Sequence, residues 1–429
     1  MAALGDPRPA VGGTVRVPGD KSISHRALIL AAIAPGTSRV RGLQDGADVR
    51  ATAGAIAALG ADVEPDGDAV RVTGRPLRAP AAPLACENSG TTTRLLAGVV
   101  AAQPFAARFV GDASLSRRPM ARVAEPLRRM GAAVTFDGPE PRLPMTVQGA
   151  RLADVDWTSA TASAQVKSAI LLAGLLAGAE VVVREPHQSR DHTERMLAAR
   201  GVDVYVREGA VLLPAGQQIR PLDTVVPGDP SSAAFFAALA ALAARGAITL
   251  PGVCLNPTRI GFLDALARMG ARVEYEDARH EGGERVGTVV AHGGAALRGI
   301  GVDGAEVPSM IDELPLLACV AACAEGETVV RGAAELRVKE SDRIATVVEN
   351  LRTLGVDADE LPDGYVVRGA GPRALAGAVR THGDHRLAMA FAVLGAATGG
   401  AVAVDDPACV DVSYPAFWRD LASVTEGAS

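Results

Sequence analysis

Leu59-Gly60-Ala61-Asp62-Val63 is the phrase on which the fold turns: the end of a helix-periodic stretch, then a glycine, then the start of a strand. It recurs as Met130-Gly131-Ala132-Ala133-Val134, Arg200-Gly201-Val202-Asp203-Val204, Met269-Gly270-Ala271-Arg272-Val273 and Leu354-Gly355-Val356-Asp357. Glycine just past a helix is a stop signal, because it takes the left-handed conformation without a side-chain clash. Helix-periodic sequence precedes each glycine, as at 48–59 and 125–130, and apolar–polar alternation follows, as at 203–211. The glycines lie 71, 70, 69 and 85 residues apart, too far for a solenoid repeat of roughly 20–50. Each therefore reads as an α/β module of two helices and several strands. Five copies and a degraded sixth near Leu421 divide into three and three, which predicts two similar α/β domains with a cleft between them.

Length agrees, since 429 residues exceed the roughly 250–300 that one hydrophobic core supports. The pattern resets at the Pro/Gly-rich break Val225-Val226-Pro227-Gly228-Asp229-Pro230. Val226-Pro227-Gly228-Asp229 repeats Val17-Pro18-Gly19-Asp20 letter for letter, each just before a serine-bearing helix start. Two crossings of one hinge, near 18–21 and 226–229, are expected. One domain would span 20–227; the N-terminal strand, within 1–19, would join 228–429.

Composition narrows the function classes. With 48% hydrophobic, 21% charged and only 3% aromatic residues, the chain is an ordinary globular one whose core must be built from Ala, Val and Leu. A net charge of −6 gives no pull toward nucleic acid or an anionic membrane. Any anionic ligand must be held locally. The five cysteines are scattered; Cys319 and Cys323 read as buried thiols on one helix, no disulfide framework follows, and no apolar run reaches the roughly 18 residues of a membrane span. A cytoplasmic monomer without cofactor or metal is expected.

Several clusters carry anion-holding chemistry. Gly19-Asp20-Lys21-Ser22-Ile23-Ser24-His25-Arg26 leads into a helix, offering cations and a capping serine where the helix end already favours anions. It lacks the spacing of a nucleotide-binding P-loop. Asn88-Ser89-Gly90-Thr91-Thr92-Thr93-Arg94 permits close backbone approach at Gly90, and Ser116-Arg117-Arg118-Pro119 presents two guanidiniums suited to carboxylate or phosphate. Ser163-Ala164-Gln165-Val166-Lys167-Ser168 and Ser189-Arg190-Asp191-His192 add donors. The C-terminal half mixes acids with bases in Ile311-Asp312-Glu313-Leu314-Pro315 and in Arg337-Val338-Lys339-Glu340-Ser341-Asp342-Arg343. His382-Gly383-Asp384-His385-Arg386 lacks a third ligand cluster with metal spacing and sits among cations, so a metal is not expected. Dispersed cations with a few carboxylates describe a site for two anionic substrates and proton transfer.

Together, and in this order, these phrases closely resemble the 3-phosphoshikimate 1-carboxyvinyltransferases, or EPSP synthases, over nearly the whole length. Arg190-Asp191-His192-Thr193-Glu194 looks like the second class of bacterial members. The resemblance implies an enolpyruvyl transferase fold: two domains of three βαβαββ repeats each, an inside-out α/β barrel that closes over substrate. It implies that Lys21, Ser22, Arg26, Ser163, Ala164, Gln165, Arg190, Asp312 and Lys339 contact shikimate 3-phosphate. Lys21, Gly90, Arg118, Gln165, Arg343 and Arg386 would hold phosphoenolpyruvate. Lys21, Asp312 and Glu340 would be catalytic, Glu340 giving a proton to the vinyl carbon and Asp312 accepting the hydroxyl proton.

One departure is visible, because Val412 precedes Ser413-Tyr414-Pro415 where some members carry a lysine. Second-class members share it. Gly90 stands at the family's glyphosate-discriminating position, so inhibition by glyphosate in competition with phosphoenolpyruvate is expected. The sister family that modifies a UDP-amino sugar usually has a cysteine before its Arg-Pro pair, and 111–119 contains none. A non-catalytic relative of the same fold is the other alternative, against which the acids Asp312 and Glu340 stand.

Overall fold

The structure, a computed structural model describing residues 8–425, divides into two compact units. One holds 19–226 together with the hairpin tip 280–284; the other holds the N-terminal segment to 18, then 227–279 and everything after 284.

The five recurrent glycines are helix stops of one design. Gly60, Gly131, Gly201, Gly270 and Gly355 all have positive φ, from 76° to 118°. At each, the glycine N–H bonds the carbonyl three residues back and the next N–H the carbonyl five back, as in Gly60→Ala57 at 3.0 Å and Ala61→Ile56 at 3.1 Å. Two otherwise orphaned carbonyls of each helix end are thereby satisfied. A strand then begins, at Asp62, Ala133, Tyr205, Arg272 and Asp357.

In the N-terminal-half unit each repeat builds a four-stranded mixed sheet. Gly90–Ala101 and its strands show the plan: Leu84–Ala85 pairs parallel with Ala106–Val110, which pairs antiparallel with Met145–Gln148, followed by Ala133–Phe136. The third repeat follows it with Val155–Thr158, Val181–Arg184 and the hairpin Tyr205–Arg207/Ala210–Leu213. The stretch 203–211, read above as one alternating run, is broken by a turn at Glu208-Gly209, both with positive φ. The first repeat takes its parallel edge strand from the far end of the unit, where Thr224–Val225 pairs with Gly36–Arg41.

The C-terminal-half unit repeats this plan. Ala10–Thr14 pairs parallel with Arg245–Cys254, and Gly301–Val302 with Glu325–Val330. The sixth copy is the degraded one: Gly377–Val379 pairs only with Val402–Val404, and the helix Phe417–Thr425 closes the described chain. One aromatic group packs here, Phe235 and Phe236 against Tyr414 and Phe417.

The first helix of every repeat is apolar nearly all round and buried; in Pro230–Leu242 and Leu314–Ala322 every residue is buried. Such helices belong in a core. The sheets and the one-sided second helices cover them, so polar chemistry is left to the helix starts. In the N-terminal-half unit Gly98 lets two of these helices touch: a Cβ there would lie 2.1 Å from the Ala169 carbonyl oxygen.

Candidate active site

That approach brings the starts of Gly90–Ala101 and Ala164–Ala177 together. Arg94 Nη1 donates to Gln165 Oε1 at 2.7 Å, Gln165 Nε2 donates to Thr91 Oγ1 at 2.9 Å, and Arg94 Nη2 reaches the Pro119 carbonyl at 3.2 Å. Arg118 Nη2 donates to Asn88 Oδ1 at 2.8 Å, and Asn88 is itself held by Asp112 at 2.7 Å. Ser89 caps its helix by accepting the Thr92 N–H. Behind it runs a buried hydroxyl chain in which Thr92 meets Thr52 at 2.6 Å and Thr52 meets His25 Nδ1 at 2.6 Å. Burial lowers His25 from 6.5 to about 3, so its imidazole is neutral.

The helix Lys21–Ile33 begins beside these, capped by Asp20, which accepts the Ile23 N–H at 2.8 Å. Lys21 Nζ sits 2.6 Å from Asp48 Oδ2, and Arg190 Nη1 lies 3.5 Å from Ser22 Oγ. Arg26 is deeply buried and binds across the core to Thr193 Oγ1 at 2.7 Å and Ser168 Oγ at 2.8 Å, and within its own helix to the Ser22 carbonyl at 2.9 Å. Lys21, Arg26, Arg94, Arg118 and Arg190 thus gather around these helix starts, with Asp48 against Lys21.

The C-terminal-half unit interleaves Lys339, Arg343 and Arg386 with the carboxylates of Asp312, Glu313, Glu340 and Asp384. Asp312 lies in the turn between the helices Val307–Met310 and Leu314–Ala322. Lys339 is 3.9 Å from it, Arg343 3.4 Å and Arg386 3.8 Å. Arg343 is 1% exposed and ringed by carboxylates, with Glu340 at 2.7 Å and Asp384 at 2.8 Å besides Asp312. Burial alone would lower Arg343, yet Asp384 and then Glu340 more than offset it and hold the guanidinium charged. Burial likewise works to raise Asp384, but Arg343 keeps its carboxyl below the usual range. Asp384 also caps the helix His385–Thr398 by accepting the Arg386 N–H at 3.0 Å, and it accepts from Ser341 Oγ at 3.0 Å. Glu313, almost fully buried, lies 3.5 Å from Arg386.

The pattern that defines EPSP synthase (3-phosphoshikimate 1-carboxyvinyltransferase) matches residues 6–421. The chain belongs to the EPSP synthase family. It is 46% identical over 421 residues to the 3-phosphoshikimate 1-carboxyvinyltransferase of Herpetosiphon aurantiacus, covering 96% of this chain and 97% of that one. That of a Roseiflexus species is 47% identical, with the same coverage. Among solved structures, an EPSP synthase from Acinetobacter baumannii superposes with a TM-score of 0.86 at 42% identity, over 97% of this chain and 96% of that one. The enolpyruvyl transferase NikO from Streptomyces tendae shares the fold, with a TM-score of 0.77 at 21% identity over 98% and 96%.

The EPSP synthase motifs thus fall into two side-chain clusters, one in each unit. Lys21, Ser22, Gly90, Arg118, Ser163, Ala164, Gln165 and Arg190 lie at or beside helix starts of the first, and Asp312, Lys339, Glu340, Arg343 and Arg386 form the second. Of the five charges in 337–343, Arg337 and Asp342 leave the second cluster: they pair with each other at 2.8 Å, and Arg337 also binds Glu360 at 2.8 Å. Arg117 and Glu125 are exposed, whereas Asp48 sits on Lys21. Sequence reasoning assigned no part to Arg94, Asn88, Asp112 or Asp384. Only Asp384 carried a local signal, an aspartate immediately before a helix. Among the described residues no group of three His, Cys, Asp or Glu is placed to hold a metal ion, and no helix is long and apolar enough to cross a membrane.

Proposed function

We propose that this chain transfers the enolpyruvyl group of phosphoenolpyruvate to the 5-hydroxyl of shikimate 3-phosphate, releasing inorganic phosphate, in the shikimate pathway. The observation that carries the reading is the gathering of cations and carboxylates at each cluster. One cluster is rich in cations at helix starts, where amides and dipole already favour anions. The other places Asp312 and Glu340 against Arg343, so that acids and a cation share one locus.

The chemistry needs both. Protonation of the methylene carbon of phosphoenolpyruvate by Glu340 leaves a cationic carbon at C2. The shikimate 5-oxygen attacks it while Asp312 takes the hydroxyl proton, giving a tetrahedral adduct. A proton from the new methyl group returns to Glu340 as the C2–O bond to phosphate breaks, phosphate leaves with the proton held by Asp312, and the vinyl ether forms with both carboxyl groups restored and no net redox change. Lys21, Ser22, Arg26, Ser163, Ala164, Gln165, Arg190, Asp312 and Lys339 serve shikimate 3-phosphate. Lys21, Gly90, Arg118, Gln165, Arg343 and Arg386 serve phosphoenolpyruvate. Arg343 pairs with Glu340 at 2.7 Å, so an anionic group that draws Arg343 away frees the acid. Arg26 has three of its N–H groups engaged within the protein, and its contact with substrate falls to the remaining two.

The work is done by the chain alone, as a cytoplasmic monomer whose units are joined near 18–21 and 226–229. Phosphate release tests the reading: it should require phosphoenolpyruvate and shikimate 3-phosphate together. Release with a UDP-amino sugar in place of shikimate 3-phosphate would assign the chain to the sister reaction, and no release with either acceptor would make it a binding protein.

A further inference from the structure

Glu185 belongs to none of the motifs above, yet it joins two of them. It directly follows the strand Val181–Arg184, and its side chain is 6% exposed although the next three residues, Pro186, His187 and Gln188, are exposed. Oε1 accepts the Ser163 backbone N–H at 2.7 Å. Oε2 accepts the Ser189 hydroxyl at 2.7 Å and lies 3.0 Å from Lys167 Nζ. Lys167 is itself 2% exposed, with a second carboxylate, Glu194, at 2.8 Å and the Ser189 carbonyl at 3.5 Å. Burial opposes its charge, but Glu194 and then Glu185 more than offset it and keep the ammonium protonated.

Each partner of Glu185 leads to the first cluster. Ser163 caps the helix whose next residues are Ala164 and Gln165. Ser189 closes the exposed loop, and Arg190 after it reaches Ser22 at 3.5 Å. A carboxylate drawn out of water persists only where its lone pairs are met, and here an amide, a hydroxyl and an ammonium meet them. Its two oxygens therefore set the distance between the Ser163 helix start and the Ser189-Arg190 corner. A loop held only by its own backbone would leave Arg190, on a long and mobile side chain, without that registration.

We infer that Glu185 is a positioning residue for the shikimate 3-phosphate end of the site, fixing Ser163 and Arg190 at one spacing without touching substrate. The inference rests on the reaction proposed above and extends it to a residue outside the motifs. Glu185→Ala and Glu185→Gln, in the full chain, are read by phosphate release with each substrate varied in turn. In Glu185→Ala the KM for shikimate 3-phosphate should rise about ten- to a hundredfold, while kcat and the KM for phosphoenolpyruvate stay within about threefold. Glu185→Gln keeps an acceptor for the Ser163 N–H but loses the charge facing Lys167, and should fall between. A merely structural role would move both KM values and the thermal midpoint together. A folded variant whose KM for shikimate 3-phosphate changes by less than about twofold, or whose two KM values rise equally, overturns the inference. Should Glu185→Ala not fold, Glu185→Gln decides by the same split. Failure of the unaltered chain to release phosphate would overturn the reaction itself, and this role with it.

Discussion

Replacing Gly90 by alanine separates the chemistry of the first cluster from its stability. Gly90 opens its helix with no unusual φ, so the backbone tolerates a side chain and the helix gains up to about 1 kcal/mol from alanine's propensity. The added Cβ, however, would stand 2.5 Å from Arg94 Nη1 and 3.7 Å from Leu115 Cδ1. The first distance is not sustainable, and the group that gives way is the end of a flexible side chain. Moving Nη1 breaks its bond to Gln165 Oε1 at 2.7 Å and loosens that to the Gly90 carbonyl at 3.3 Å. A hydrogen bond to a charged group contributes about 1.5–3 kcal/mol, and Arg94 is half-buried, so about 1–2 kcal/mol is the discounted loss. Because that geometry must be restored for phosphoenolpyruvate to bind at Gln165, the same cost, at about 1.4 kcal/mol per tenfold, is roughly a five- to thirtyfold fall in kcat/KM, carried mainly by the KM for phosphoenolpyruvate. The assay is steady-state phosphate release alongside a thermal melt. Unchanged kinetics would refute the reasoning, as would a fall in Tm of more than about 5 °C, since a few degrees correspond to 1 kcal/mol of packing lost.

Glu340→Gln and Lys21→Met should each lose most turnover while staying folded; the amide introduced by Glu340→Gln keeps an acceptor for Arg343, so circular dichroism should match the parent, and parent-like phosphate release by either would reassign the roles. Glyphosate should inhibit in competition with phosphoenolpyruvate, and full activity at high glyphosate would exclude that. Acid should weaken the fold through His25. Its folded value of about 3 lies below the unfolded 6.5, so the unfolded chain takes up the proton first. Stability is then flat above 6.5 and falls below it by up to about 1.4 kcal/mol per pH unit, about 2 kcal/mol by pH 5. Urea unfolding at pH 7 and pH 5 should show His25→Asn losing correspondingly less between the two, and an equal loss would remove His25 as the cause.

Local signals were legible wherever the backbone alone imposes them. A glycine past a helix must serve as its stop, so the spacing of Gly60, Gly131, Gly201, Gly270 and Gly355 laid out the repeats before any tertiary contact was known. The helix starts were legible for the same reason, since Asp20, Ser89 and Ser163 each accept an amide of their own first turn. What stayed hidden depends on packing between segments distant in sequence. Arg94 joins the first cluster because Gly98 admits Ala169, not because of anything adjacent to it. Arg26 also fastens its helix to two others, through Thr193 and Ser168, a packing role that nothing adjacent to it in the chain announces. Arg337 and Lys339 are two residues apart, yet only Lys339 faces Asp312, because the short helical turn Ala334–Val338 aims them differently.

The identical phrases at 17–20 and 226–229 show how one local solution acquires two uses. Both aspartates cap a buried first helix, Asp20 through Ile23 and Asp229 through Ser231, each at 2.8 Å. At Asp20 the next residues are Lys21 and Ser22, and the lysine stands out from the helix toward Asp48 with 23% of its side chain exposed. At Asp229 the next residue is Pro230, and a buried arginine from the loop segment Asn256-Pro257-Thr258-Arg259 occupies the place instead. Arg259 Nη2 donates to Asp229 Oδ1 at 2.8 Å and to Ser231 Oγ at 2.9 Å, with only 2% of its side chain exposed. A helix start that attracts anions is thereby filled by an internal ion pair. The helix Pro230–Leu242 lends no residue to either cluster, and the arginine that seals its start explains why. Anion binding in this fold therefore follows from which helix starts are left accessible, and not from the capping phrase itself.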